Sequence, residues 1–193
     1  MQVRPVKVLS TIACLALTAC DEPTRPGTEG IVPSATSNAD VVAEASGGAN
    51  WDLLGFDLTG DGVDDPIGNV LGFNAVRYAD GSVSGQIEYQ QSALGEFFRF
   101  HGPVTCIGVY DDGTRAKFGG PITRSDDPTI PVGVFMWFTV VDNGNGGSGV
   151  PDRSSILGIG DEAANEAFCA SDAPPNARFS ADVNGDIRVS GGG

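Results

Sequence analysis

The chain reads as all-β: a single antiparallel β-sandwich or barrel of about eight strands. Three observations carry that reading. Apolar and polar residues alternate with period two in several short runs, as at Val83–Gln90. Asp80-Gly81, Asp112-Gly113 and Asn184-Gly185 are dipeptides that tolerate the positive φ angles of tight hairpins. The 193 residues include 28 glycines, which suits a chain punctuated by turns.

The N-terminus comes first. Arg4 and Lys7 precede an apolar stretch from Val8 to Ala16, followed by Leu17-Thr18-Ala19-Cys20. A basic start, an apolar run and small residues before a cut site make a secretory leader. The apolar run is too short to cross a bilayer, which needs about 20 residues. The tetrapeptide ending in Cys20 resembles the lipobox of bacterial lipoproteins. The resemblance implies that residues 1–19 are removed and that Cys20 is acylated, anchoring the chain to a lipid bilayer of the bacterial cell envelope on its extracytoplasmic side. Loss of the leader takes Arg4 and Lys7 from the eleven basic residues and none of the 25 acidic ones. So acidic a chain repels phosphate, which excludes a nucleic-acid partner.

Residues 20–49 are Pro, Thr, Ser, Gly, Ala and acid without an apolar period, and they read as a disordered tether. The β-domain is expected over 50–193. Val83, Gly85, Ile87 and Tyr89 share one side of a run whose other side is Ser84, Gln86, Glu88 and Gln90. Phe98 and Phe100 alternate in the same way, as do Ile187 and Val189. The run 134–141 is apolar except at Thr139, and reads as a central strand buried on both faces. Strands are expected over 70–79, 82–91, 95–101, 103–110, 114–124, 133–142, 153–159 and 186–190, with one helical turn from Glu162 to Phe168.

Of the four cysteines, Cys14 lies in the leader and Cys20 is the lipidated residue. Cys106 and Cys169 remain, and an exported chain most simply joins them in one disulfide. Neither has the neighbouring Cys or His that a zinc site needs.

The runs Gly72-Phe73-Asn74-Ala75, Gly81 to Tyr89 and Phe138 to Gly144, with a last strand at Asp186–Ser190, resemble an uncharacterised module of secreted bacterial proteins. The similarity spans most of 70–190, and Phe97–Gly102 with the Cys106/Cys169 pair looks like one of its subgroups. It implies a β-fold and export, and no reaction.

The strongest chemical motif is Asp57 to Asp65. Asp57, Thr59, Asp61 and Asp65 take the first, third, fifth and ninth places of an EF-hand-like calcium loop, and Val63 offers a carbonyl. Alternate oxygens at this spacing point into one hollow. The match is partial, because Gly68 stands where the bidentate Glu belongs. Ca2+ is therefore the one cofactor expected. Asp142 to Asp152 is a second oxygen-rich loop and reads as a Gly-rich connection. Asp182 to Asp186 reads as a hairpin turn. His101 is the only histidine; no Gly-x-Ser-x-Gly elbow accompanies it, and it reads as a partly exposed strand-end residue. Glu88 and Glu96 are the acids that a glycosidase reading would pair. Trp137 is expected in the core and Trp51 as a lid upon it.

No catalytic residue is expected. The functional expectation is a non-enzymatic surface or adhesion module that binds a protein or glycan and is stabilised by calcium. The alternatives are a lipocalin-like ligand barrel and, last, a hydrolase using acidic residues. A fatty-acid analogue fed to cells should label the wild-type chain and not Cys20→Ala. An unlabelled wild-type chain would refute the anchor.

Overall fold

The computed structural model describes residues 40–144, 149–172 and 180–192. The leader, Cys20 and the tether as far as residue 39 lie outside them, as do Asn145 to Ser148. The strands β1 (Val41–Leu53), β2 (Ile67–Tyr78), β3 (Val83–Ala93) and β4 (Glu96–Pro103) follow one another across a first sheet. β7 (Arg124–Ser125) adds beyond β4, and β12 (Asn184–Gly191) beyond β1. The second sheet runs β11 (Ser180–Asp182), β9 (Arg153–Ser155), β8 (Phe135–Val141), β6 (Arg115–Pro121) and β5 (Cys106–Tyr110), with β10 (Gly158–Gly160) also on β8. Every ladder is antiparallel. The sheets are open, and the fold is an all-β sandwich rather than a barrel.

Alternation builds the core. Leu71 and Phe73 of β2, Ile87 and Tyr89 of β3, and Phe100 of β4 turn inward to meet Phe118, Met136, Phe138 and Val140 of the second sheet. The rings of Phe73 and Phe118 stack at 4.4 Å, and those of Tyr89 and Phe138 meet at 5.1 Å. Such aromatic layers fill the space that a ligand barrel would leave open. The chain passes between sheets at Gly102-Pro103 and Gly120-Pro121, where a Cβ on either glycine would collide with the facing proline carbonyl.

The tether expected over 20–49 ends sooner than the sequence suggested. Residues 41–49 belong to β1, with Ala43, Ala45 and Ala49 buried on its inner face. Alanine and glycine keep the period of two there but supply too little apolar contrast to reveal it. Trp51 lies within β1 as a core residue rather than a lid. Asn184-Gly185 makes no hairpin turn. It opens β12, opposite Asn50 and Ala49, because the chain changes sheets between β11 and β12. The single strand expected over 153–159 is two, β9 and β10.

The expected helical turn is a nine-residue helix, α1 (Glu162–Ala170). Asp161 caps it, its Oδ1 accepting from the Ala164 amide at 2.8 Å. The helix covers the outer face of the second sheet, held by the Cys106–Cys169 disulfide across a separation of 63 residues. Closing a loop of that length contributes on the order of 4 kcal/mol in the chain-entropy account. The helix explains why β8 is apolar on both faces. Trp137 is half-buried on the outer side, against Phe168 at 5.6 Å and over Gly158 and Gly160, and so is not in the inter-sheet core as expected.

Two carboxylates join the sheets at the β12 edge. Asp152 accepts from the amides of Ile187 at 2.8 Å and Asn143 at 2.9 Å. Asp142 accepts from the amides of Val189 at 3.1 Å and Gly144 at 2.7 Å. Asp152→Ala leaves two amides without these acceptors, one of them buried, and should cost about 2 kcal/mol. Thermal denaturation should then show a midpoint lower by roughly 4–8 °C. An unchanged midpoint would show that water replaces the carboxylate.

Candidate functional site

The outer face of the first sheet carries the site. Gly48 of β1, Gly72 of β2, Glu88 of β3, His101 of β4 and Arg124 of β7 stand in one cross-strand row. The adjacent row is Asn50, Val70, Gln90 and Arg99. Asp126 continues it, its amide donating to the Arg99 carbonyl at 3.0 Å. Side chains at these positions share one face because the strand period is two. The glycines leave a trough in mid-sheet, and the longer side chains of β3, β4 and β7 form its wall. The result is a cleft of about 690 Å³, within the range of roughly 300–1,000 Å³ typical of ligand sites. It crosses five strands, roughly 19 Å at about 4.8 Å per strand.

The aromatic-rich run Phe97–Gly102 builds the wall by alternation. Phe100 enters the core and Phe98 packs against it, while Arg99 and His101 face the cleft. Phe97 shares that outer face one row further on, opposite Ser92, and is 61% exposed. Beneath the cleft, burial raises the pKa of the Tyr89 phenol above its usual range. The phenol therefore stays neutral and donates to the Asn69 side chain, whose amide donates to the Ile67 carbonyl at 2.8 Å. This network fixes the floor without reaching the solvent face.

His101 is at a strand's outer face, as expected, with its Nε2 3.9 Å from Glu88 Oε1. The two converge in one cleft, which the sequence could not show. The pair of acids imagined for a glycosidase does not form. Glu88 faces the cleft opposite His101, whereas Glu96 pairs with Ala93 at the sheet's end. Five register steps, roughly 17 Å, and opposite faces separate them, beyond the 5–10 Å or so that such a pair spans.

The Asp57–Asp65 segment lies in the β1–β2 connection, away from the cleft. Its carboxylates face inward upon the loop's own backbone. Asp57 accepts from the amides of Gly60 at 2.6 Å, Asp61 at 3.1 Å and Gly62 at 2.9 Å. Asp65 accepts from Leu58 at 2.8 Å, and from the Thr59 amide at 2.9 Å and hydroxyl at 3.1 Å. Asp61 accepts from Val63 at 2.8 Å, and Val63 is itself 64% exposed. Among the described residues no three Asp, Glu, His or Cys side chains converge as a metal site. Asp142 and Asp152, in the second oxygen-rich loop, are likewise engaged with backbone amides.

Cleft residues that sequence reading missed include Asn50, Gln90, Arg99, Arg124 and Asp126. Alternation marks Gln90 and Arg99 as outward-facing, but only the strand register brings them beside Arg124.

Amide bonds, that from Gly62 foremost, hold the Asp57 carboxyl below its ordinary 3.8. A depressed folded pKa means that these bonds are intact above pH 3.8 and are lost as pH falls through the lower value. The amide resonances of Gly60 and Gly62 should therefore titrate together below pH 3.8. Titration at or above that value would contradict the network. No protein-family model matches the chain, and comparison with curated proteins and with solved structures likewise yields no match.

Proposed function

We propose that this chain is a cell-envelope lipoprotein, anchored through acylated Cys20, whose sandwich is a non-enzymatic module binding an extended polar polymer in the outer-face cleft. A glycan is the partner that suits it. The observation carrying this reading is the cleft itself: an open trough across five strands, floored by Gly48 and Gly72 and walled by polar side chains. An open trough admits a chain that continues past both ends, and amide, carboxylate and guanidinium groups suit a hydroxyl-rich ligand. The exposed Phe97 beside the trough offers a ring face for a sugar to rest upon. The lipobox resemblance and the Cys106–Cys169 disulfide support the extracytoplasmic setting.

The contact between Glu88 and His101 favours one second reading, a hydrolase in which they act as acid and base. Binding ranks above it because Glu88 is open to solvent, with a side chain 74% exposed.

Gly72 provides the test. A Cβ there would meet no heavy atom within 4 Å, so a larger side chain enters the trough without disturbing the sheet. The mature chain should bind members of a glycan array, and Gly72→Trp should lose that binding while melting like wild type. Absence of binding by the wild-type chain, or equal binding by the variant, would refute the reading. Release of new reducing ends from a bound oligosaccharide, abolished in Glu88→Gln, would favour the hydrolase.

A further inference from the structure

The cationic groups of this acidic chain are unevenly engaged. Among the described residues, Arg115 pairs with Asp111 at 2.6 Å, Arg153 with Asp182 at 3.3 Å and Arg188 with Asp186 at 3.0 Å. Lys117 donates to the Ser171 carbonyl at 2.7 Å and Arg77 to the Ile107 carbonyl at 3.5 Å. Besides Arg77, which is part-buried and held by its carbonyl bond, two guanidiniums have no carboxylate partner among the described residues, Arg99 and Arg124. Arg99 makes one long bond, from Nε to Gln90 Oε1 at 3.4 Å. Both are exposed, and both line the cleft beside His101.

That coincidence is informative because acids are abundant. The chain holds 25 Asp and Glu against eleven Lys and Arg, so an arginine finds a carboxylate readily unless the fold withholds one. Glu88 and Asp126 line the same cleft, yet neither forms an ion pair with either arginine. A guanidinium keeps a planar fork of donors that matches a carboxylate edge to edge. The two acids set an upper limit on ligand charge. They offset the arginines, so a phosphate or a densely sulfated chain would be repelled where a single carboxylate among hydroxyls is not.

We infer that the cleft binds a uronic-acid-containing polysaccharide, with Arg99 and Arg124 holding the sugar carboxylate and Glu88 and Gln90 bonding its hydroxyls. This assignment rests on the glycan reading of the same cleft and adds the charge of its ligand.

The test uses calorimetric titration of the full mature chain with a xylo-oligosaccharide bearing a single glucuronic-acid residue and with its methyl ester, which has the same backbone without the charge. The acid form should bind about tenfold more tightly than the ester, the worth of one charged hydrogen bond. Arg99→Gln and Arg124→Gln should each remove that preference, with unchanged melting, since Arg99 gives up only one long, exposed bond to Gln90 and Arg124 is exposed with no ion pair among the described residues. Equal affinity for acid and ester, or a preference that survives both substitutions, would overturn the inference while leaving a neutral-glycan cleft standing. Failure to bind either form would also overturn it. Acid-selective binding that persists in Gly72→Trp would place the ligand elsewhere and overturn the cleft reading itself.

Discussion

The carboxylate of Asp152 accepts from Asn143 and Ile187 while its own carbonyl accepts from Val183 at 2.9 Å, so one residue just ahead of β9 holds both ends of the crossing into β12. The first sheet depends on that clamp. β12 pairs with β1 over eight residues and keeps it from being an edge strand. Apart from Trp51, β1 brings only Ala43, Ala45 and Ala49 to the interface, so its place rests largely on backbone pairing with β2 and β12. With β12 in place, Ile187 and Val183 join the core at this end of the sandwich. Gly48 and Asn50 are then fixed as the near bank of the cleft. A buried carboxylate facing amide donors thus sustains a binding surface in which it takes no part.

Opposite charges organise the far face of the molecule. No basic residue lies in the last turn of α1. The positive charge that its carbonyl end favours comes instead from β6. Lys117 reaches the Ser171 carbonyl and Arg115 the Asp172 carbonyl at 3.0 Å, and both lie near the Tyr110 ring. Burial, then the neighbouring Arg115, lowers the Lys117 pKa from its ordinary 10.5. The tyrosine hydroxyl donates to the Cys169 carbonyl beside the disulfide. Helix, disulfide and cations therefore form one assembly. Cations on this face serve the fold, and the two exposed arginines without a carboxylate partner among the described residues, Arg99 and Arg124, lie across the sandwich at the cleft.

The sequence was legible where large side chains carried the alternation. Ile87 and Tyr89, Phe98 and Phe100, and the run 135–141 announced strands because their inward positions are bulky. Cys106 and Cys169 announced their bond by elimination. β1 stayed hidden because small residues hold the same period with little contrast. The loop at Asp57 kept its ligand-like spacing, but spacing does not say whether a carboxylate faces a hollow or its own backbone. The cleft was the least legible feature. Glu88 and His101 stand thirteen positions apart, and Arg124 belongs to a strand of two residues. Only the pairing register places them in one row.

Pairing between β1 and β12 sets Ala43 opposite Gly191, so almost the whole domain separates two residues that finish side by side. A contact of such long range is costly to close and comes late in folding. A chain emerging from its N-terminus carries β1 with one bare edge until β12 arrives. The Asp152 carboxylate likewise waits for the Ile187 amide. The domain thus has a built-in delay before it can seal, and until then its first sheet carries an unpaired edge.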